Sequence, residues 1–113
     1  MQTLNKEIPI FGGRLRFIIC EKLDEIELRY RLGDTSDCDA ISFKTKDKFS
    51  ERVYVMAFNR NAVKNHIIAH EALHITNFIL YDINHVSSYT NDEVQAYLLT
   101  WIVKQFDKAF KNI

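Results

Sequence analysis

The sequence predicts an α+β fold: an antiparallel β-sheet of about four strands followed by two helices, in the order ββββαα. Three observations carry this expectation. Apolar residues recur at every second position through the first half of the chain, the pattern of half-buried strands. After Asn59 that period gives way to a long run without Gly or Pro, as a helix requires. Clusters of turn-forming residues, Gly33 to Asp37 (GDTSD) and Asp47 to Ser50, punctuate the first half and favour successive hairpins in a meander.

Taken in order, Leu15, Phe17 and Ile19 alternate with Arg14, Arg16 and Ile18 and predict a first strand. Ile26, Leu28, Tyr30 and Leu32 alternate with Glu25, Glu27, Arg29 and Arg31 and predict a second. Leu23, Ile26 and Tyr30 also fit helical spacing, and Glu and Arg are good helix formers, but the sustained alternation favours the strand. Ile41, Phe43 and Thr45 supply a third strand. Arg52 to Phe58, apolar on both faces, supplies a fourth that should be the most covered. Asn61 is a plausible N-cap for a helix through Asp82, in which nine of the fourteen residues between Ile67 and Leu80 are apolar, so the helix should be central. Asp82 to Tyr89 is a polar connection. A second helix starts near Thr90 or Asn91, with Val94, Leu98, Trp101, Ile102, Phe106 and Phe110 at helical spacing.

A chain of 113 residues fits one domain, residues 1–113, and 47% apolar with 27% charged residues is a globular composition. Fifteen basic residues balance fifteen acidic ones, so no global field attracts nucleic acid or an anionic membrane, and neither is expected as a partner. Cys20 and Cys38 lack C-x-x-C spacing and are expected to be free. No stretch approaches the roughly 18 apolar residues of a membrane span, and the start lacks the pattern of a secretory signal. A cytoplasmic location is the expectation.

The chemistry sits on the first helix. His70 and His74 are four residues apart and project from one face about a turn apart, within reach of a single metal ion. Glu71, one step round, can miss the metal yet reach a metal-bound water as a general base. These polar side chains interrupt one of the most apolar stretches, where two unpartnered imidazoles and a carboxylate would cost about 1 to 3 kcal/mol each, and a metal removes most of that cost. Such a zinc site needs a third protein donor and an open position for water. Glu93, near the start of the second helix, is the leading candidate. Thr90 to Glu93 also spells a capping box, in which Glu93 would turn back to the N-cap backbone. His85 in the connection is an alternative ligand, and His66, a turn before His70, reads as a neighbouring or surface residue.

His70, Glu71, His74 and Glu93 form HExxH, eighteen intervening residues and a Glu, which resembles the pattern of the gluzincins, zinc peptidases such as the thermolysin-like enzymes and the large zinc aminopeptidases. Ala96 adds an E-x-x-A echo (EVQA) of the glutamate helix in several such groups, including the ImmA/IrrE-type peptidases. The resemblance spans about residues 66 to 97. It implies a minimal zincin-like domain: an antiparallel sheet, an active-site helix beneath it and a glutamate helix. It further implies Zn²⁺ on His70, His74 and Glu93, Glu71 as catalytic base, and a peptide or protein substrate. Tyr97 stands where the thermolysin-like group has an Asp that supports a metal ligand, and the oxyanion-stabilising group must come from Tyr89, His85 or Tyr97, of which Tyr89 is the leading assignment. Asn77 and Leu80 occupy the glycine and third-histidine positions of the metzincin motif and exclude that group. The competing expectation is a catalytically inactive zincin-like domain whose metal is structural and which acts as a protein-interaction module.

Overall fold

Alternation of large apolar side chains on two strands that are buried on both faces builds the centre of a four-stranded sheet. The computed structural model describes residues 1–110. Strands β1 (Gln2–Glu7), β2 (Arg14–Cys20), β3 (Ala40–Lys46) and β4 (Arg52–Asn59) lie in the order β1-β2-β4-β3. β1 pairs antiparallel with β2, and β3 antiparallel with β4. β2 and β4 pair in parallel, with Phe17 opposite Met56 and Ile19 opposite Phe58. The expected antiparallel meander is therefore corrected to a mixed sheet. Two hairpins are joined side by side through their second strands, so β1 and β3 form the edges.

The segment expected as a second strand is helical. Leu23–Ile26 forms a 3₁₀ turn that runs into the short helix α1 (Glu27–Tyr30), so the strands and helices are interleaved and do not follow the order ββββαα. Leu23 and Ile26 are buried and Tyr30 is half-buried, the helical spacing of the apolar residues, whereas Leu28 is 93% exposed. The alternation there was of charge more than of burial. Arg31, at φ 56, closes α1 in the left-handed region, and Leu32 N–H returns to Glu27 O at 2.8 Å. The fourth strand is instead β1, whose QTLNKE sequence carries one apolar residue past Met1 and so little period-two signal.

The β1–β2 turn depends on Gly13, at φ +81, where an added Cβ would meet Arg52 O at 3.1 Å and the Tyr54 ring at 3.2 Å. Arg52 also donates through Nη2 to Phe11 O at 3.1 Å, tying that turn to β4.

One sheet face buries Leu15, Phe17, Ile19, Tyr54, Met56 and Phe58 beneath two helices, α2 (Asn65–Asp82) and α3 (Glu93–Phe110). The other buries Ile18, Cys20, Val53, Val55 and Ala57 beneath Leu23 and Ile26. α2 starts at Asn65, later than the expected Asn61, because Arg60–Ala62 forms a separate 3₁₀ turn and Lys64 is the extended N-cap residue. It ends in a Schellman arrangement: Asn84 sits at φ 58, its N–H reaches Tyr81 O at 3.1 Å, and His85 N–H reaches Leu80 O at 2.9 Å. Asn77 and Gln95 join the two long helices through a side-chain hydrogen bond of 2.9 Å. Cys20 and Cys38 are free; burial, with a smaller push from Glu25, raises the Cys20 thiol to about 11. Among the described residues no helix is long and apolar enough to cross a membrane.

Candidate metal and catalytic site

α2 sorts its residues by helical period. Ile68, Ala72, Ile75 and Ile79 are buried against the sheet and α3, while His66, His70, His74, Asn77 and Tyr81 line the outer side. The sequence suggested that the imidazoles would be buried and need a metal to offset desolvation. The structure corrects this: the His70 side chain is 67% exposed and His74 is exposed, because a rotation of about 100° per residue carries both off the apolar face. Glu71, one step from His70, does turn inward, and its side chain is only 8% exposed.

The two imidazoles meet. His70 Nε2 and His74 Nε2 are 3.2 Å apart, with ring centroids at 4.8 Å and planes at 77°. Two nitrogens bound to one tetrahedral zinc at about 2.0 to 2.1 Å would be about 3.3 to 3.4 Å apart, so the pair already has close to a chelating separation. Without a metal the same approach is satisfied by one neutral ring donating to the other.

The Glu71 carboxylate is held from the sheet. Ser42, on edge strand β3, donates to Glu71 Oε1 at 2.7 Å, and its Oγ also lies 3.2 Å from Glu71 O. Its single proton serves the shorter, charge-assisted contact. Glu71 Oε2 lies 3.9 Å from His70 Nε2, too far for a hydrogen bond yet within ion-pair range when the imidazole is protonated. Ser42 reaches α2 because β3 turns Ala40, Ser42 and Lys44 toward the helical side, in register with Phe58, Met56 and Tyr54. Two residues on, Lys44 bonds Asp82 at 3.2 Å, and Tyr54 donates to the same carboxylate at 2.6 Å. Sequence reading missed Ser42. A lone serine on a strand carries no motif, and only its register against Met56 places it beside Glu71.

The other expected site residues stand apart. Glu93 is the first residue of α3 and is exposed. It lies about 140° round the helix from the buried Leu98, on the stripe of Tyr97, Thr100 and Lys104. The capping box at Thr90 does not form, since Ala96 N–H bonds Asp92 O at 3.0 Å and Asp92 is the residue before the helix. Tyr89 is 98% exposed and Tyr97 51%, so neither is buried. His85 Nε2 is buried without a hydrogen-bond partner in the connection after α2. Among the described residues no group of three or more His, Cys, Asp or Glu side chains converges as a metal cage. The structure thus brings together His70, Glu71 and His74, and adds Ser42.

Comparison with protein-family models, with curated proteins and with solved structures finds no match for this chain.

Proposed function

We propose that the chain is a zinc-dependent peptidase whose metal is carried by His70 and His74, with Glu71 as general base. The observation that carries this reading is the 3.2 Å approach of the two Nε2 atoms beside a buried carboxylate that is fixed from the sheet. Zinc, when bound, would supply an activated water and polarise a carbonyl. Glu71 takes the proton at Oε2 and delivers it to the leaving amine, while Ser42 keeps Oε1 engaged and the carboxylate from swinging away. β3 is an edge strand, so an extended peptide can add to it and lie beside Ser42 and Glu71. Glu93 is the third donor that the spacing nominates, and it joins the imidazoles only if the 83–92 connection resets the first turn of α3.

The outward position of Glu93 favours a second reading, a zincin-like domain with a structural metal that works by binding a partner. One experiment separates the two. Metal analysis of the full chain should find one zinc, lost in His70→Ala and in His74→Ala. Glu71→Gln should keep the zinc and lose hydrolysis of unstructured peptides. Zinc retained by both histidine variants overturns the site; zinc bound without hydrolysis by the unaltered chain leaves the second reading.

A further inference from the structure

The β3–β4 hairpin sorts its charges by face. Its acids side with Arg14 on the face away from α2: Asp47 Oδ2 lies 3.9 Å from Arg14 Nη1, and Glu51 adds to the same field. Its cations gather on the side of α2. Lys46 stands directly opposite Arg52, and Lys44 opposite Tyr54, whose ring belongs to the helical face. Strand geometry puts the Lys46 and Arg52 Cβ atoms about 4.5 to 5.5 Å apart, with Lys44 about 7 Å from Lys46 along the same strand.

Between these side chains and the end of α2 lies a cavity of about 250 Å³, lined by Lys44, Thr45, Lys46, Arg52 and Asp82. Asp82 is the only carboxylate in its wall, and both oxygens are taken: Lys44 reaches Oδ1 at 3.2 Å, and the Tyr54 hydroxyl donates to Oδ2 at 2.6 Å. Among the described residues neither Lys46 nor Arg52 forms an ion pair. Three cations against one carboxylate leave two positive charges in the wall. Like charges directly opposite on neighbouring strands destabilise the pair, so the arrangement is unfavourable while the cavity holds no anion.

Lysines on an open edge need no partner, since they deter strand addition. That role does not account for Arg52, which stands on the interior strand β4. Its Nη2 bonds Phe11 O at 3.1 Å, which fixes the guanidinium and leaves Nε and Nη1 without a protein acceptor among the described residues. A fixed planar fork beside a mobile ammonium suits an oxyanion, two of whose oxygens the fork can engage together. A phosphate monoester carries a charge of about −1.5 to −2 at neutral pH and would neutralise the wall, whereas a carboxylate or a diester would leave one charge over. The cavity is smaller than the roughly 300 to 1,000 Å³ of a pocket for a whole ligand, so it takes a group and not a large cofactor.

We propose that this cleft binds the phosphate of a small phosphate monoester, with Arg52 and Lys46 on its oxygens and Lys44 completing the charge. The site is separate from the histidine pair and independent of zinc. Asp82 lies eight residues beyond His74 on α2, about 12 Å along the helix axis.

The test is a titration of the full-length, metal-free protein at neutral pH and constant ionic strength, followed by amide NMR at Thr45, Lys46 and Val53. Methyl phosphate should give saturable shifts, with acetate and dimethyl phosphate bound at least about fivefold more weakly. Lys46→Gln removes a cation that holds nothing else in place, and it should weaken methyl phosphate about three- to tenfold while Lys46→Arg retains it. Lys48, which lies over the Phe49 ring at the hairpin tip, is the control: Lys48→Gln removes the same charge outside the cleft and should leave the affinity within about twofold. Inorganic phosphate should bind no more tightly than the monoester. The proposal is overturned by the absence of a saturable shift, by acetate binding as well as methyl phosphate, by equal losses in Lys46→Gln and Lys48→Gln, or by a preference for the free ion, which would mark an adventitious ion only.

Discussion

The two faces of the sheet are built to different depths. One lies under two eighteen-residue helices and packs aromatic against aromatic: Phe17 and Phe58 each lie close to 5 Å from Phe106, centroid to centroid. The other lies under two four-residue turns and is filled by β-branched and small residues, Ile18, Val53, Val55, Ala57 and Cys20. Every residue of the candidate site hangs from the deep face. Only a long helix can display two imidazoles on its outer side while the residue between them points inward to a strand, and only a well-filled face can keep that helix still.

Core truncations on the two sides should expose the difference. The largest effect is expected at Phe106, where Phe106→Ala removes a ring that touches Phe17, Phe58 and Phe110. A loss of about 3 to 5 kcal/mol in denaturant unfolding is expected, with the histidine pair loosened too. Ile26→Ala, in the thin cover of the other face, should cost about 2 to 3 kcal/mol and leave zinc stoichiometry intact. Equal losses, or loss of zinc in Ile26→Ala, would break the contrast.

A smaller effect is expected at the far end of α2, where Tyr54 and Lys44 hold Asp82. Burial raises the Asp82 carboxyl, but the Tyr54 hydroxyl and Lys44 more than offset this, so it lies below the usual carboxylate value. A depressed folded-state value stabilises the fold at neutral pH and is lost as pH falls below about 4. Tyr54→Phe should therefore cost about 1 to 2 kcal/mol at pH 7 and progressively less as the pH falls through the lowered folded-state value of the Asp82 carboxyl. A cost that does not shrink in acid would show that packing, and not the carboxylate, sets the role of Tyr54.

The sequence was most legible where burial is two-sided or where period and length agree. β2, β4 and the two long helices follow from apolar residues whose spacing has one explanation. β3 also stands at its expected place. Residues 25–32 failed because Glu and Arg alternated with Leu28 and Tyr30, and the eye of a period-two test cannot tell that Leu28 faces water. β1 was invisible for the opposite reason: an edge strand with one outer face in solvent needs few apolar residues. The parallel β2–β4 pairing is a long-range choice that no local pattern encodes. In the site, HExxH gave His70, Glu71 and His74 because helical spacing is local. Ser42 needed the register of β3, and the position of Glu93 needed the rotation of α3, neither of which a spacing of eighteen residues fixes.

Strand β3 has one further property. An open sheet edge invites any extended chain, including another copy of itself, and lysines on such an edge deter promiscuous joining. In β3 they stand only in the second half, at Lys44 and Lys46, whereas Ala40 to Phe43 is uncharged. Self-association along the edge is thus discouraged at the lysine end. The uncharged half is the one beside Glu71, so under the proposed peptidase reading the lysines would steer a guest strand toward the offsets that bring its backbone past the carboxylate.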